Sequence, residues 1–129
     1  MPTIIHFEIP SDNVEKSTKF YSDLFGWSIE KVPAEKLPEG MEACGITTTD
    51  PEGNTGVSGG IMKRMAPEQQ GITNYIDVKS VEEYSSKVKQ LGGQVKVSKM
   101  VVPGMGYIAV CSDTENNTFG IYEADTSAN

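Results

Sequence analysis

The chain is poor in the residues that most specialised functions depend on. Among its 129 residues are two cysteines, one histidine and one tryptophan. Cys44 and Cys111 stand 67 positions apart, which is the spacing of neither a redox pair nor a zinc knuckle. Small buried thiols in a reducing compartment are the expected reading. No apolar run approaches the roughly 20 residues of a membrane-spanning helix. Met1–Ile9 carries no basic stretch and no small-residue cleavage site, so a cytoplasmic protein with no membrane partner is expected. There is no basic run, and the net charge of −7 disfavours nucleic acid and anionic lipid as partners. No P-loop, dinucleotide fingerprint or Ser-His-Asp arrangement occurs.

What the chain does contain, it contains twice. Val14, Leu24 and Gly26 recur as Val81, Leu91 and Gly93, each 67 positions further on, and Ile9 recurs as Ile76. Later in each copy comes a turn of one type, Asp50 to Thr55 and Asp113 to Thr118. Beyond the turns lie Gly59-Gly60-Ile61-Met62 and Phe119-Gly120-Ile121-Tyr122. A fixed internal offset means a duplicated structural unit. One domain is expected, with module one at about 1–64, a linker at about 65–71, module two at about 72–124 and a frayed tail at 125–129.

Hydrophobic period assigns the elements. Ile5, Phe7 and Ile9 alternate with Ile4, His6 and Glu8, which predicts a strand with one face under a helix. Asp12 or Asn13 caps the helix that follows, where Val14, Ser17, Phe20/Tyr21 and Leu24 form the expected buried stripe and Gly26 the stop. In the second copy Ser80 and Glu83 form a capping box, and Val81, Tyr84, Val88 and Leu91 form the stripe. Three strands follow each helix. The order is β-α-β-β-β twice, an α+β fold whose curved mixed sheets form a cup with one helix packed outside each.

That plan resembles the vicinal oxygen chelate superfamily of glyoxalases, bleomycin-resistance proteins and dioxygenases. The resemblance is carried by His6-Phe7-Glu8-Ile9, Asn13 to Tyr21, Leu24 to Trp27, Asn74 to Val78, Leu91 to Gly93, and Asp113 to Glu123. It implies four inward metal-ligating positions, which fall here on His6, Thr73, Gly60 and Gly120. One imidazole, one hydroxyl and two glycines do not make a catalytic zinc, nickel or iron site, so no metal and no cofactor is expected. A displaced ion would call on His6, Glu8 and Glu42, with Glu42 placed on the cup face of its strand.

The expected function is binding of a small, partly apolar organic molecule in the cup between the modules. His6, Glu8, Glu42, Gly60, Met62, Thr73, Tyr75, Tyr107, Gly120 and Tyr122 are the candidate lining residues, and His6 is the best candidate for acid–base work. The alternatives are a metal-dependent lyase, isomerase or dioxygenase with a displaced ion, and an interaction module without a ligand. Exposed sheet edges and the resemblance both imply a homodimer. Light scattering at micromolar concentration should report twice the chain mass; a monomer overturns that expectation.

Overall fold

The computed structural model describes residues 2–37, 39–64 and 71–129. The elements are β1 (Ile4–Ser11), α1 (Val14–Phe25), β2 (Ser28–Lys31), a 3-10 turn (Ala34–Lys36), β3 (Ala43–Thr47), β4 (Ser58–Lys63), β5 (Thr73–Asp77), α2 (Val81–Gln90), β6 (Gln94–Val102), β7 (Gly106–Ser112) and β8 (Thr118–Ala124). Both β-α-β-β-β runs are present, so the α+β class is what the structure has. All of the expected linker except Gly71 lies outside the described residues. Two compact units result, His6–Ile72 and Thr73–Asn129, the second also taking the start of β1 through Ile5.

In the first unit β1 pairs with β4 in parallel, while β3 pairs antiparallel with both β2 and β4. In the second, β5 pairs with β8 in parallel, and β7 pairs antiparallel with both β8 and β6. Each helix covers one face of its own unit's strands: α1 lies on β2, β3 and β4, and α2 on β6, β7 and β8.

Local chemistry sets the helix ends. The Asn13 side chain accepts from the Lys16 N–H at 3.0 Å, and Gly26 closes α1 in the left-handed region at φ 69°. The Ser80 hydroxyl accepts from the Glu83 N–H at 3.1 Å, and the Glu123 carboxylate takes the Val81 N–H at 2.9 Å. An anion at that end also complements the helix dipole.

The helix-side core of the first unit is Ile9, Val14, Cys44, Ile46 and Ile61, with Phe7, Tyr21, Trp27 and Ile29 packed against it. Phe20 and Leu24, expected inside, are 59% and 58% exposed. The ring of Tyr21 stacks on Trp27 at 5.5 Å, so the buried stripe follows Val14, Thr18 and Tyr21, and its neighbours turn outward. In the second unit Val78, Val81, Ala109, Cys111 and Ile121 form the core. Leu91, expected as the last residue of the buried stripe, is the C-cap and stands 77% exposed. Burial raises the pKa of the Cys111 thiol above its ordinary value.

The tail makes backbone bonds of its own. The Asp125 N–H donates to the Met105 carbonyl at 2.8 Å, the Gly104 N–H to that of Ala128 at 2.9 Å, and Ala128 is buried. These bonds pin the tail to the β6–β7 turn, a use of Ala128 that its small-residue surroundings in sequence do not announce.

The repeated turns are closed by one device. The Asp50 carboxylate accepts from the N–H groups of Glu52 and Asn54 and from the Asn54 amide, at 2.8–3.2 Å. Asp113 does the same with Glu115 and Asn117 at 2.8–3.0 Å. In each case these bonds, led by those from the asparagine, hold the carboxyl below its ordinary value of 3.8. A lowered folded-state pKa contributes stability that is present above 3.8 and lost as pH falls through the folded value. Asp113→Ala should therefore melt lower than the parent at neutral pH. The gap should close as pH falls below the folded-state value; a gap that persists there overturns the assignment.

Candidate functional site

The helix-free face of the first unit carries His6, the sequence-based candidate for acid–base work, beside Glu8. His6 and Glu8 alternate with Phe7 and Ile9, whose side chains pack under α1, and so point the other way. His6 Nε2 lies 2.7 Å from Glu8 Oε1. The parallel register sets Glu8 beside Gly60 and Phe7 beside Gly59. Both glycines admit a neighbour's side chain. A Cβ on Gly59 would strike the Phe7 ring on the helix side, while a Cβ on Gly60 would lie 3.0 Å from Glu8 Oε2 on the free side. The Glu8 carboxylate is thus folded onto the bare backbone of β4. Its Oε2 is buried and has no hydrogen-bond partner among the described residues. Such an orphaned acceptor calls for a physical account.

The second unit repeats the device with a different side chain. Tyr75 pairs with Gly120, and the Tyr75 ring occupies the space in front of that glycine. Tyr122 falls two residues on along the same face, and its hydroxyl donates to the Met105 carbonyl at 2.9 Å. Thr73, half-buried, shares the face of Tyr75 by alternation. Met62 is likewise two residues from Gly60 on the free face of β4, paired with Ala43.

Two expected lining residues lie on the opposite face. Cys44 and Ile46 are buried against α1, and Thr18 Oγ1 lies 3.6 Å from Cys44 Sγ. Alternation then puts Glu42 on the helix side as well. It is exposed, and its carbonyl accepts from the Lys63 N–H at 2.9 Å. Tyr107 shares its side of β7 with Ala109 and Cys111, in the core under α2, where Lys99 Nζ sits 4.3 Å from its ring centroid. Ile108 and Val110, opposite Tyr122 and Gly120, hold the free-face positions instead.

Gly45 and Glu30, outside the sequence-based candidates, also belong to this face. The register runs Glu30, Gly45, Gly60, Glu8 across four strands on the free face. A Cβ on Gly45 would meet nothing within 4 Å. Gly45 inside a strand pattern was the available signal. A hollow of about 400 Å³ also lies between α2 and β6 in the second unit, where Lys99 is 3.7 Å from Glu82 and the two charges answer each other.

The family described as bleomycin resistance protein-like N-terminal matches residues 3–37. A glyoxylase-like domain-containing protein of Didymella fabae is 30% identical over 121 residues, covering 88% of each chain. The chain belongs to the vicinal oxygen chelate superfamily. Solved structures of the same fold include a methylmalonyl-CoA epimerase variant of Streptomyces coelicolor in complex with 2-nitronate-propionyl-CoA. That chain is 12% identical, with TM-score 0.66 and coverage of 98% and 97%. A hypothetical protein of Bacillus halodurans is 17% identical, with TM-score 0.65 and coverage of 99% and 98%.

The superfamily's ion does not fit the donors this member presents. Among the described residues no three His, Cys, Asp or Glu side chains come together as an ion would require. His6 and Glu8 are spent partly on each other, Glu42 is on the other face, and the glycine positions are filled by Glu8 and Tyr75.

Neither Gly60 nor Gly120 has positive φ, so neither is a bend that only glycine can make. The contacts predict an asymmetry among glycines. Gly120→Leu drives a side chain into the Tyr75 ring and should cost about 1–3 kcal/mol, as overpacking does. Gly45→Ala meets open space and should stay within about 0.5 kcal/mol of the parent. Equal melting temperatures for the two variants would refute the contact at Gly120.

Proposed function

We propose that the chain binds a small, partly apolar organic molecule on the helix-free faces of its strands, without the superfamily's metal. The observation that carries this reading is Glu8: a carboxylate turned onto bare backbone, held by His6, with one buried oxygen left for a partner. Convergent polar groups set among apolar and aromatic walls are how small-molecule sites are built. Met62 supplies an apolar side chain in the first unit, and Tyr75 and Tyr122 supply rings in the second. The solved relatives lend support of a general kind, since one was captured with methylmalonyl-CoA. We further propose a cytoplasmic homodimer.

An enzyme of lyase, isomerase or dioxygenase type is the second reading, favoured by the epimerase likeness alone. It would need an ion held by ligands other than those proposed here. Elemental analysis of protein purified without chelator separates the two. Far less than one transition-metal ion per chain is expected, and stoichiometric metal surviving dialysis would favour the enzyme.

Binding is tested by melting the protein against a panel of organic acids, thioesters and aromatic amines. A ligand at a hundred times its Kd adds about 2.7 kcal/mol to apparent stability, a rise of several degrees. Amide shifts should fall on strand residues of the helix-free faces. A panel that moves neither the melting temperature nor those amides would leave an interaction module as the better account.

A further inference from the structure

The structure assigns a chemical class to the group that Glu8 receives: we infer a nitrogen cation carried on a flat organic body, seated on the bare backbone of Gly45 beside the carboxylate that covers Gly60. This rests on the reading that the helix-free face of the first unit binds a small molecule.

Glu8 Oε1 is matched by His6 at 2.7 Å, and Oε2 by nothing among the described residues. A buried acceptor left unpaired costs about 1–3 kcal/mol, and more when it is charged. The point a Gly60 Cβ would occupy lies 3.0 Å from Oε2, so the carboxylate rests against the β4 backbone with that oxygen unmatched. An acidic guest would add a further acceptor beside it. An N–H donor with positive charge answers it, and is the strongest partner for a carboxylate.

Shape follows from the neighbouring position. Gly45 pairs directly with Gly60, and space is open above it. Gly45 thus leaves a strip of bare peptide beside the carboxylate over Gly60, on which a planar group can lie close to the backbone. The terminal torsion of a glutamate is broad, so a small turn lifts Oε2 toward a guest lying there while Oε1 keeps His6. Charge runs the same way. Glu30 ends the cross-strand row on the other side of Gly45, and the chain carries −7 overall. Both features raise the local concentration of cations over anions.

His6 is a positioning residue in this account. Its hydrogen bond fixes the carboxylate over the strip, so losing it should cost orientation while leaving charge in place.

Benzamidine, benzamide and benzoate share one flat apolar body and differ in charge, so they are the probes. Benzamidine should shift the backbone amides of Gly45 and Gly60 in a saturable way, benzamide should do so more weakly, and benzoate should not. Glu8→Gln keeps the shape and removes the charge, and should weaken benzamidine by roughly tenfold or more, equivalent to about 1.4 kcal/mol. Gly45→Val should fold and melt like the parent, since the space is open and valine suits a strand, yet should abolish the shifts. If Glu8→Gln unfolds, Gly45→Val still decides the site. Benzoate perturbing the same amides as strongly as benzamidine would overturn the cation class while leaving small-molecule binding intact. Parent-like benzamidine affinity in Gly45→Val would overturn the strip. Silence from all three probes would overturn the inference, and the broader reading falls with it only if the wider panel is silent too.

Discussion

Parallel pairing between the first and last strands of each unit determines where everything else can go. Parallel strands cannot be joined by a tight turn, so the chain must leave the sheet and return. Here it returns through a helix and two more strands, and the helix is left lying on one face. Register along the pair is pinned by the core: Ile9 sits beside Ile61, and Ile76 beside Ile121, all on the helix side. A slip of one residue would carry those isoleucines to the other face. The same register therefore places the preceding residues, Glu8 on Gly60 and Tyr75 on Gly120, as a by-product of core packing. Site geometry is inherited from burial.

Because folding is secured on the helix side, the free face is at liberty to change its chemistry. Both units keep the backbone device of a bare glycine beneath a first-strand side chain. One fills it with a carboxylate and the other with a phenol ring. Within the vicinal oxygen chelate superfamily the resemblance puts ligating side chains at the glycine positions. In this member an acidic group stands on the neighbouring strand, 2.7 Å from a histidine. The isoleucine pairs that set the register do not depend on which side chains occupy the free face.

Much of this was legible in the sequence, and the failures share a cause. The offset of 67, the caps at Asn13 and Ser80, the stop at Gly26 and the strand alternation around His6 and Glu8 all depend on neighbours close in the chain. The misplacements of Glu42 and Tyr107 came from parity. A strand's two faces look alike until one residue is known to be buried, and Cys44 and Cys111 are small enough to suit either side. Phe20 and Leu24 look like core by hydrophobicity, but Trp27, beyond the helix end, claims Tyr21 and turns the stripe. The docking of Ala128 and the open space at Gly45 depend on residues distant in sequence. No local pattern encodes them.

Glu8 is the residue that folding alone does not account for. Its carboxylate contributes nothing to either core, covers backbone that a small apolar residue would cover without penalty, and leaves an acceptor unpaired. A fold selected for stability alone would remove it, because replacing a buried polar group by an apolar one of similar shape is neutral or stabilising. Sequences agree with their structures at most positions, and disagreements concentrate where a protein meets something else. The aspartates of the two turns make the contrast plain: Asp50 and Asp113 are exposed, yet every bond they make closes their own loop. Those carboxylates are complete within the chain. Glu8 keeps one oxygen unmatched among the described residues, and that oxygen is what the proposed guest would satisfy.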